Sequence, residues 1–94
     1  MASTHDYEID SRNNNIQIYI DGGFFSRADA KVSVMDSGYL LGDGVWEGIR
    51  LYNNHLIHLE KHLERLYEGA ETIEMNIGIS KSEMRSALEQ TLQR

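Results

Sequence analysis

The order of the apolar residues predicts an α+β fold, a small antiparallel sheet followed by two helices. In the first half of the chain apolar and polar side chains alternate, as at Ile16, Ile18 and Ile20. From Leu59 the spacing changes to three and four, which places Leu59, Leu63, Leu66, Ala70 and Ile73 on one helical face. Turn-forming residues separate the runs, at Asp21, Gly22 and Gly23 and again at Asn53 and Asn54.

The elements follow in order. The opening "MASTHDYEIDSRNNN", residues 1–15, is polar and aperiodic and reads as a flexible arm ahead of a single small domain, 16–94. Ile16 to Ile20, the Asp21–Gly23 turn and Phe24–Phe25 make a hairpin. Lys31 to Met35 forms a second short alternating run, and Asp36 to Gly44 reads as a turn or a single helical turn. Val45 to Tyr52 is the best strand pattern, and Asn53–Asn54 folds it back onto His55 to His58 because asparagine tolerates positive φ.

A helix is predicted over Leu59 to Met75, and residues 75–78 break it. A second begins at "ISKSEM": Ser80 caps it, Glu83 completes a capping box, and Ile79 with Met84 has the spacing of a hydrophobic staple. Met84, Ala87, Leu88 and Leu92 form its apolar face. That pattern is still running at Arg94 with no stop signal, so the domain reads as truncated at its C-terminal end.

Composition excludes several functions. Nine basic against fifteen acidic residues give a net charge of -6, the wrong sign for a nucleic-acid binder. The apolar runs are too short for a membrane span and no secretory signal opens the chain, so a cytoplasmic protein is expected. With no cysteine there is neither a disulfide framework nor a thiolate metal site. His58 and His62 have the i, i+4 spacing of a zinc helix, but the third ligand and the glutamate of a metalloprotease motif are missing; no metal is expected.

Two clusters remain. Side chains alternate across a strand, so Val45, Glu47, Ile49 and Leu51 face the core while Trp46, Gly48, Arg50 and Tyr52 face away. A glycine inside a strand gives up packing, and one reason is close approach of a ligand to the backbone. Trp46 then makes a wall, Gly48 a floor and Arg50 a polar rim; an edge glycine beside a solvated arginine explains the same pattern. On the helix, His58, His62, Arg65 and Gly69 fall within about 60° of one another at roughly 100° per residue. Arg65 can take a phosphate through parallel charge-assisted hydrogen bonds, with Gly69 leaving room, or simply pair with Glu68 on a solvated face. The spacing of "GYLLGDG" matches neither a Walker loop nor a dinucleotide fingerprint.

Residues 32 to 75, and especially "DSGYLLGDGVWEG", "RLYNN" and "HLERL", resemble the small N-terminal domain of the class IV, fold-type IV pyridoxal-phosphate aminotransferases. That family includes branched-chain and D-amino-acid aminotransferases and aminodeoxychorismate lyase. The resemblance implies pyridoxal 5'-phosphate as cofactor, with Arg65 on its phosphate and Trp46 lining the substrate pocket, Gly48 and Arg50 on the same face. Leu41 stands where branched-chain enzymes generally carry a pocket-shaping aromatic residue, and "GDGV" is closer to the D-amino-acid pattern, so substrate choice stays open. The resemblance further implies a homodimer, amino-acid and 2-oxo-acid substrates, and a Schiff-base lysine in a large C-terminal domain absent from this chain. Lys31, Lys61 and Lys81 lie in the wrong contexts for that lysine, so no catalytic residue is expected here. Lyase chemistry on the same fold, or a non-catalytic dimerisation or ligand-binding module, are the competing readings.

Overall fold

The computed structural model describes residues 10–94. Of the expected arm, residues 1–9 lie outside the described residues. Asp10 caps a single 3-10 turn over Ser11–Asn13, accepting from the Arg12 backbone N–H. The Arg12 guanidinium, and secondly that N–H, hold the Asp10 carboxyl below its ordinary range.

The predicted hairpin forms from β1 (Gln17–Ile20) and β2 (Gly23–Ser26), paired antiparallel with Ile18 opposite Phe25 and Tyr19 opposite Phe24. Asp21 at φ 48° and Gly22 at φ 89° make a two-residue turn of the handedness that suits the strand twist. The Tyr19 and Phe24 rings meet edge to face at 5.4 Å. Lys31 to Met35 builds no strand; it runs as a loop that turns at Val34 and Met35 into α1 (Ser37–Leu41). Asp36 caps α1 through its carboxylate, and Gly42 ends it at φ 74°, which glycine adopts without a Cβ penalty.

The strongest strand pattern is only partly realised. β3 is confined to Leu51–Tyr52, paired with β4 (His55–Leu56) across Asn53 and Asn54, both at positive φ. The one further rung is the Ile57 N–H donating to the Arg50 carbonyl. Among the described residues no strand pairs with residues 45–50 in a ladder, because alternation specifies faces whereas a ladder needs a neighbouring strand. The faces are as expected from Val45 to Arg50, where Val45, Glu47 and Ile49 are half-buried while Trp46, Gly48 and Arg50 are exposed. Leu51, expected on the core face, is exposed in the short ribbon with nothing packed over it to bury it. The strands therefore make two separate ribbons, β1-β2 and β3-β4.

α2 spans Leu59–Thr72, three residues shorter than its apolar pattern, because the backbone leaves the helix at Ile73 and reaches φ 58° at Glu74. At its start His58 is a left-handed N-cap rather than a helical residue. α3 (Lys81–Leu92) begins with both halves of the capping box, Ser80 accepting from the Glu83 N–H and Glu83 accepting from the Ser80 N–H. α3 packs on α2 and on β1. Leu63 and Ala70 of α2 and Ala87 of α3 are the buried apolar residues. Arg85 of α3 pairs with Glu60 of α2, and the Arg94 guanidinium stacks 3.9 Å above the Phe24 ring. Tyr67 of α2 donates to the Ile79 carbonyl at 2.7 Å, tying α2 to the linker before α3.

Candidate functional site

The site is organised by the half-buried face of residues 45–49. Val45 lies against Gly69 of α2: a Cβ placed on that glycine would stand 3.5 Å from Val45 Cγ1. Gly69 thus faces the chain's own valine at ordinary contact distance, not a space left for a ligand as its helical position suggested. Two residues on, the same face presents Glu47, whose side chain is only 12% exposed. One carboxylate oxygen, Oε2, lies 2.7 Å from His62 Nδ1; the other, Oε1, lies 3.4 Å from Arg65 Nε.

That arrangement changes the reading of Arg65. Its ion pair is with Glu47, not Glu68, and its side chain is 71% exposed. The nearest approach of Glu47 is to Nε, and among the described residues no hydrogen bond is made by the Nη groups, the planar fork that fits a phosphate. His58, Lys61, His62 and Arg65 together line a hollow of about 310 Å³. Three helical positions and the N-cap deliver four cationic or protonatable side chains to one place, because residues 58, 61, 62 and 65 recur at spacings of three and four. This donor set suits the phosphate of a pyridoxal phosphate cofactor. A larger cavity, about 590 Å³, lies at the other end of α2, where Glu64, Glu68, Glu71 and Glu74 outnumber the one cation, Lys81. Its sign is wrong for an anion.

The opposite face of residues 45–52 holds the other predicted residues. Trp46 is 85% exposed and its Cζ3 stands 3.8 Å from where a Gly48 Cβ would be, so ring and glycine adjoin with nothing else filling the glycine's space. Arg50 stacks on Tyr52 at 5.4 Å. Leu41 closes α1 and is exposed, as are Tyr39 and Leu40 beside it. Trp46, Gly48 and Arg50 are brought together in a row, and Arg65 is held on the other side of the same segment through Glu47. Among the described residues no group of histidine, aspartate and glutamate could hold a metal ion, and no helix is long and apolar enough to cross a membrane.

Sequence reasoning missed Glu47. Its signal was present: an acidic residue on the otherwise apolar face of Val45, Ile49 and Leu51, ahead of a helix with histidine and arginine three residues apart. A carboxylate at a buried register position needs a cation, and the next helix supplies it.

Comparison with known proteins identifies the family. A protein of Methanocaldococcus jannaschii named as a branched-chain-amino-acid aminotransferase is 44% identical over 77 residues, 82% of this chain and 27% of its own. A D-alanine aminotransferase of Listeria monocytogenes is 39% identical over 74 residues, covering 79% of this chain and 26% of its own. One of Staphylococcus aureus is 40% identical over 68 residues, covering 72% and 24%. The chain spans about a quarter of the length of the curated relatives it matches. Residues 44–94, over half of the chain and including Glu47, His62 and Arg65, match the model of the family described as amino-transferase class IV, and with these relatives that match establishes that the chain belongs to the class IV aminotransferases.

Proposed function

We propose that this chain is the small-domain portion of a pyridoxal-phosphate-dependent transaminase that moves an amino group between an amino acid and a 2-oxo acid. The observation that carries the reading is the cationic hollow of His58, Lys61, His62 and Arg65, in which the Arg65 fork is free to take a phosphate. The bound cofactor supplies the electron sink for amino transfer. This chain's residues bind and orient: Arg65 holds the phosphate, while Trp46, Gly48, Arg50 and Leu41 form one wall of the substrate pocket. Exposure of Trp46 and Leu41 supports that wall.

No catalytic residue is assigned here. The lysine that bonds the cofactor belongs, in this reading, to the part of the protein beyond these residues. Exposed Val32, Val34, Met35, Tyr39, Leu40 and Leu41 form an apolar stretch that suits covering by further protein. A cytoplasmic homodimer accounts for it, and the reading is preferred over a self-contained binding module on that ground. The relatives' names point to branched-chain amino acids and D-alanine as donor classes to test.

The test uses the protein at the length its source makes it. Purified enzyme is offered L-leucine or D-alanine with 2-oxoglutarate, and the new amino acid is quantified by chiral chromatography. Transfer from one donor, lost in Arg65→Ala and partly restored by excess pyridoxal phosphate, is the expected result. No transfer from either donor by cofactor-loaded protein overturns it.

A further inference from the structure

We infer that Glu47 is a positioning residue for the anion site: by holding Arg65 Nε on one oxygen it pre-sets the arginine toward a bound phosphate, and with the other, on His62 Nδ1, it fixes the neighbouring ring. The inference rests on the reading of Arg65 as the phosphate ligand.

An arginine on a helix surface samples many rotamers, and ordering it on binding weakens the complex. Here the carboxylate that restrains it is itself fixed, being 12% exposed on the segment whose Val45 packs against Gly69. The 3.4 Å contact is an ion pair, longer than a tight hydrogen bond. It restrains Nε and leaves the outer fork for a ligand.

The second oxygen acts on His62. An ionised carboxylate only accepts, so at 2.7 Å Nδ1 carries the proton. That fixes the ring and leaves Nε2 outward, where it donates to an anion only in the imidazolium form, so the phosphate contact rests on Arg65. One carboxylate thereby sets two of the four side chains that line the hollow. Because its charge is shared by two partners, it restrains the arginine without neutralising the site.

The test is a cofactor titration on the native-length protein, stripped of cofactor, with pyridoxal phosphate and unphosphorylated pyridoxal as the two probes. Binding is followed by quenching of tryptophan fluorescence, and the ratio of the two dissociation constants isolates the phosphate's contribution. Glu47→Gln keeps the shape and removes the charge; it is expected to weaken pyridoxal phosphate about tenfold, the scale of one charge-assisted contact, and to leave pyridoxal within about twofold. In an Arg65→Ala background the same change is expected to add almost nothing, since the residue acts through the arginine. Glu47→Asp, whose oxygens are drawn back by one methylene, is expected to fall between wild type and Glu47→Gln. It gives the same readout if Glu47→Gln does not fold.

Equal weakening of both probes by Glu47→Gln, or additivity with Arg65→Ala, overturns the inference and makes Glu47 a structural residue. So does an unchanged ratio in Glu47→Gln when Arg65→Ala lowers it, which leaves the assignment of Arg65 standing. An unchanged ratio in Arg65→Ala overturns both.

Discussion

Tyr67 offers a test of how the two helices are tied, because its phenol donates to the Ile79 carbonyl at 2.7 Å just before the Ser80 cap. Replacing it with phenylalanine removes the donor, and no other hydrogen bond to that carbonyl exists among the described residues. The loss is about 1 kcal/mol for a neutral hydrogen bond, toward 2 if water does not reach the carbonyl. Burial, and secondly the nearby Glu83 carboxylate, push the Tyr67 phenol above its ordinary value of 10.0. A raised folded-state value means that the fold favours the neutral phenol. Its contribution is complete below pH 10 and is lost as pH rises through the folded value. Urea unfolding of wild type and Tyr67→Phe from pH 8 upward should show a gap of about 1 kcal/mol that is constant below pH 10 and closes above it. Other groups titrate in both proteins and cancel in the difference. Absorbance at 295 nm reports tyrosinate directly, and the last phenol to ionise should disappear in the variant. A gap that is absent at pH 8, or that persists unchanged through complete tyrosine ionisation, refutes the reasoning.

Three further substitutions test other parts of the fold. Gly69→Ala puts a methyl 3.5 Å from Val45 Cγ1, an ordinary contact, and removes a helix-interior glycine; urea unfolding should show a gain of about 0.5 to 1 kcal/mol. Ser80→Ala breaks one half of the capping box and should cost about 1 kcal/mol, read as a lower urea midpoint with unchanged slope. Trp46→Ala removes a ring that is 85% exposed. It should shift folding stability by no more than about 0.5 kcal/mol while raising KM for the amino donor.

The parts of the fold that depend on neighbours in sequence were legible. Asp21–Gly22 and Asn53–Asn54 are turns because their residues accept positive φ, and α3 starts at its capping box because Ser80 and Glu83 are three residues apart. The parts that depend on distant partners were not. Val45 to Arg50 alternates like a strand, yet a ladder needs a second strand that the local pattern cannot supply. Arg65 sits where a helical wheel puts it, but its partner, Glu47, lies eighteen positions earlier, beyond any i to i+4 rule. The shortened end of α2 has a local cause, the positive φ at Glu74, on a residue type that seldom announces it.

One segment therefore serves two faces, and its register decides both. With Val45 on Gly69, the intervening Trp46 is turned outward and Glu47 inward to His62 and Arg65. A slip of one residue would exchange the faces. It would drive the indole toward Gly69, where even a Cβ on the glycine already meets Val45 Cγ1 at 3.5 Å, and turn the carboxylate away from its two partners. The packing of Val45 on Gly69 and the charge pairing at Glu47 thus belong to the same register. That register puts the hollow of His58, Lys61, His62 and Arg65 on one side of the segment and leaves Trp46, Gly48 and Arg50 exposed on the other, the two faces to which the proposed function assigns phosphate and substrate.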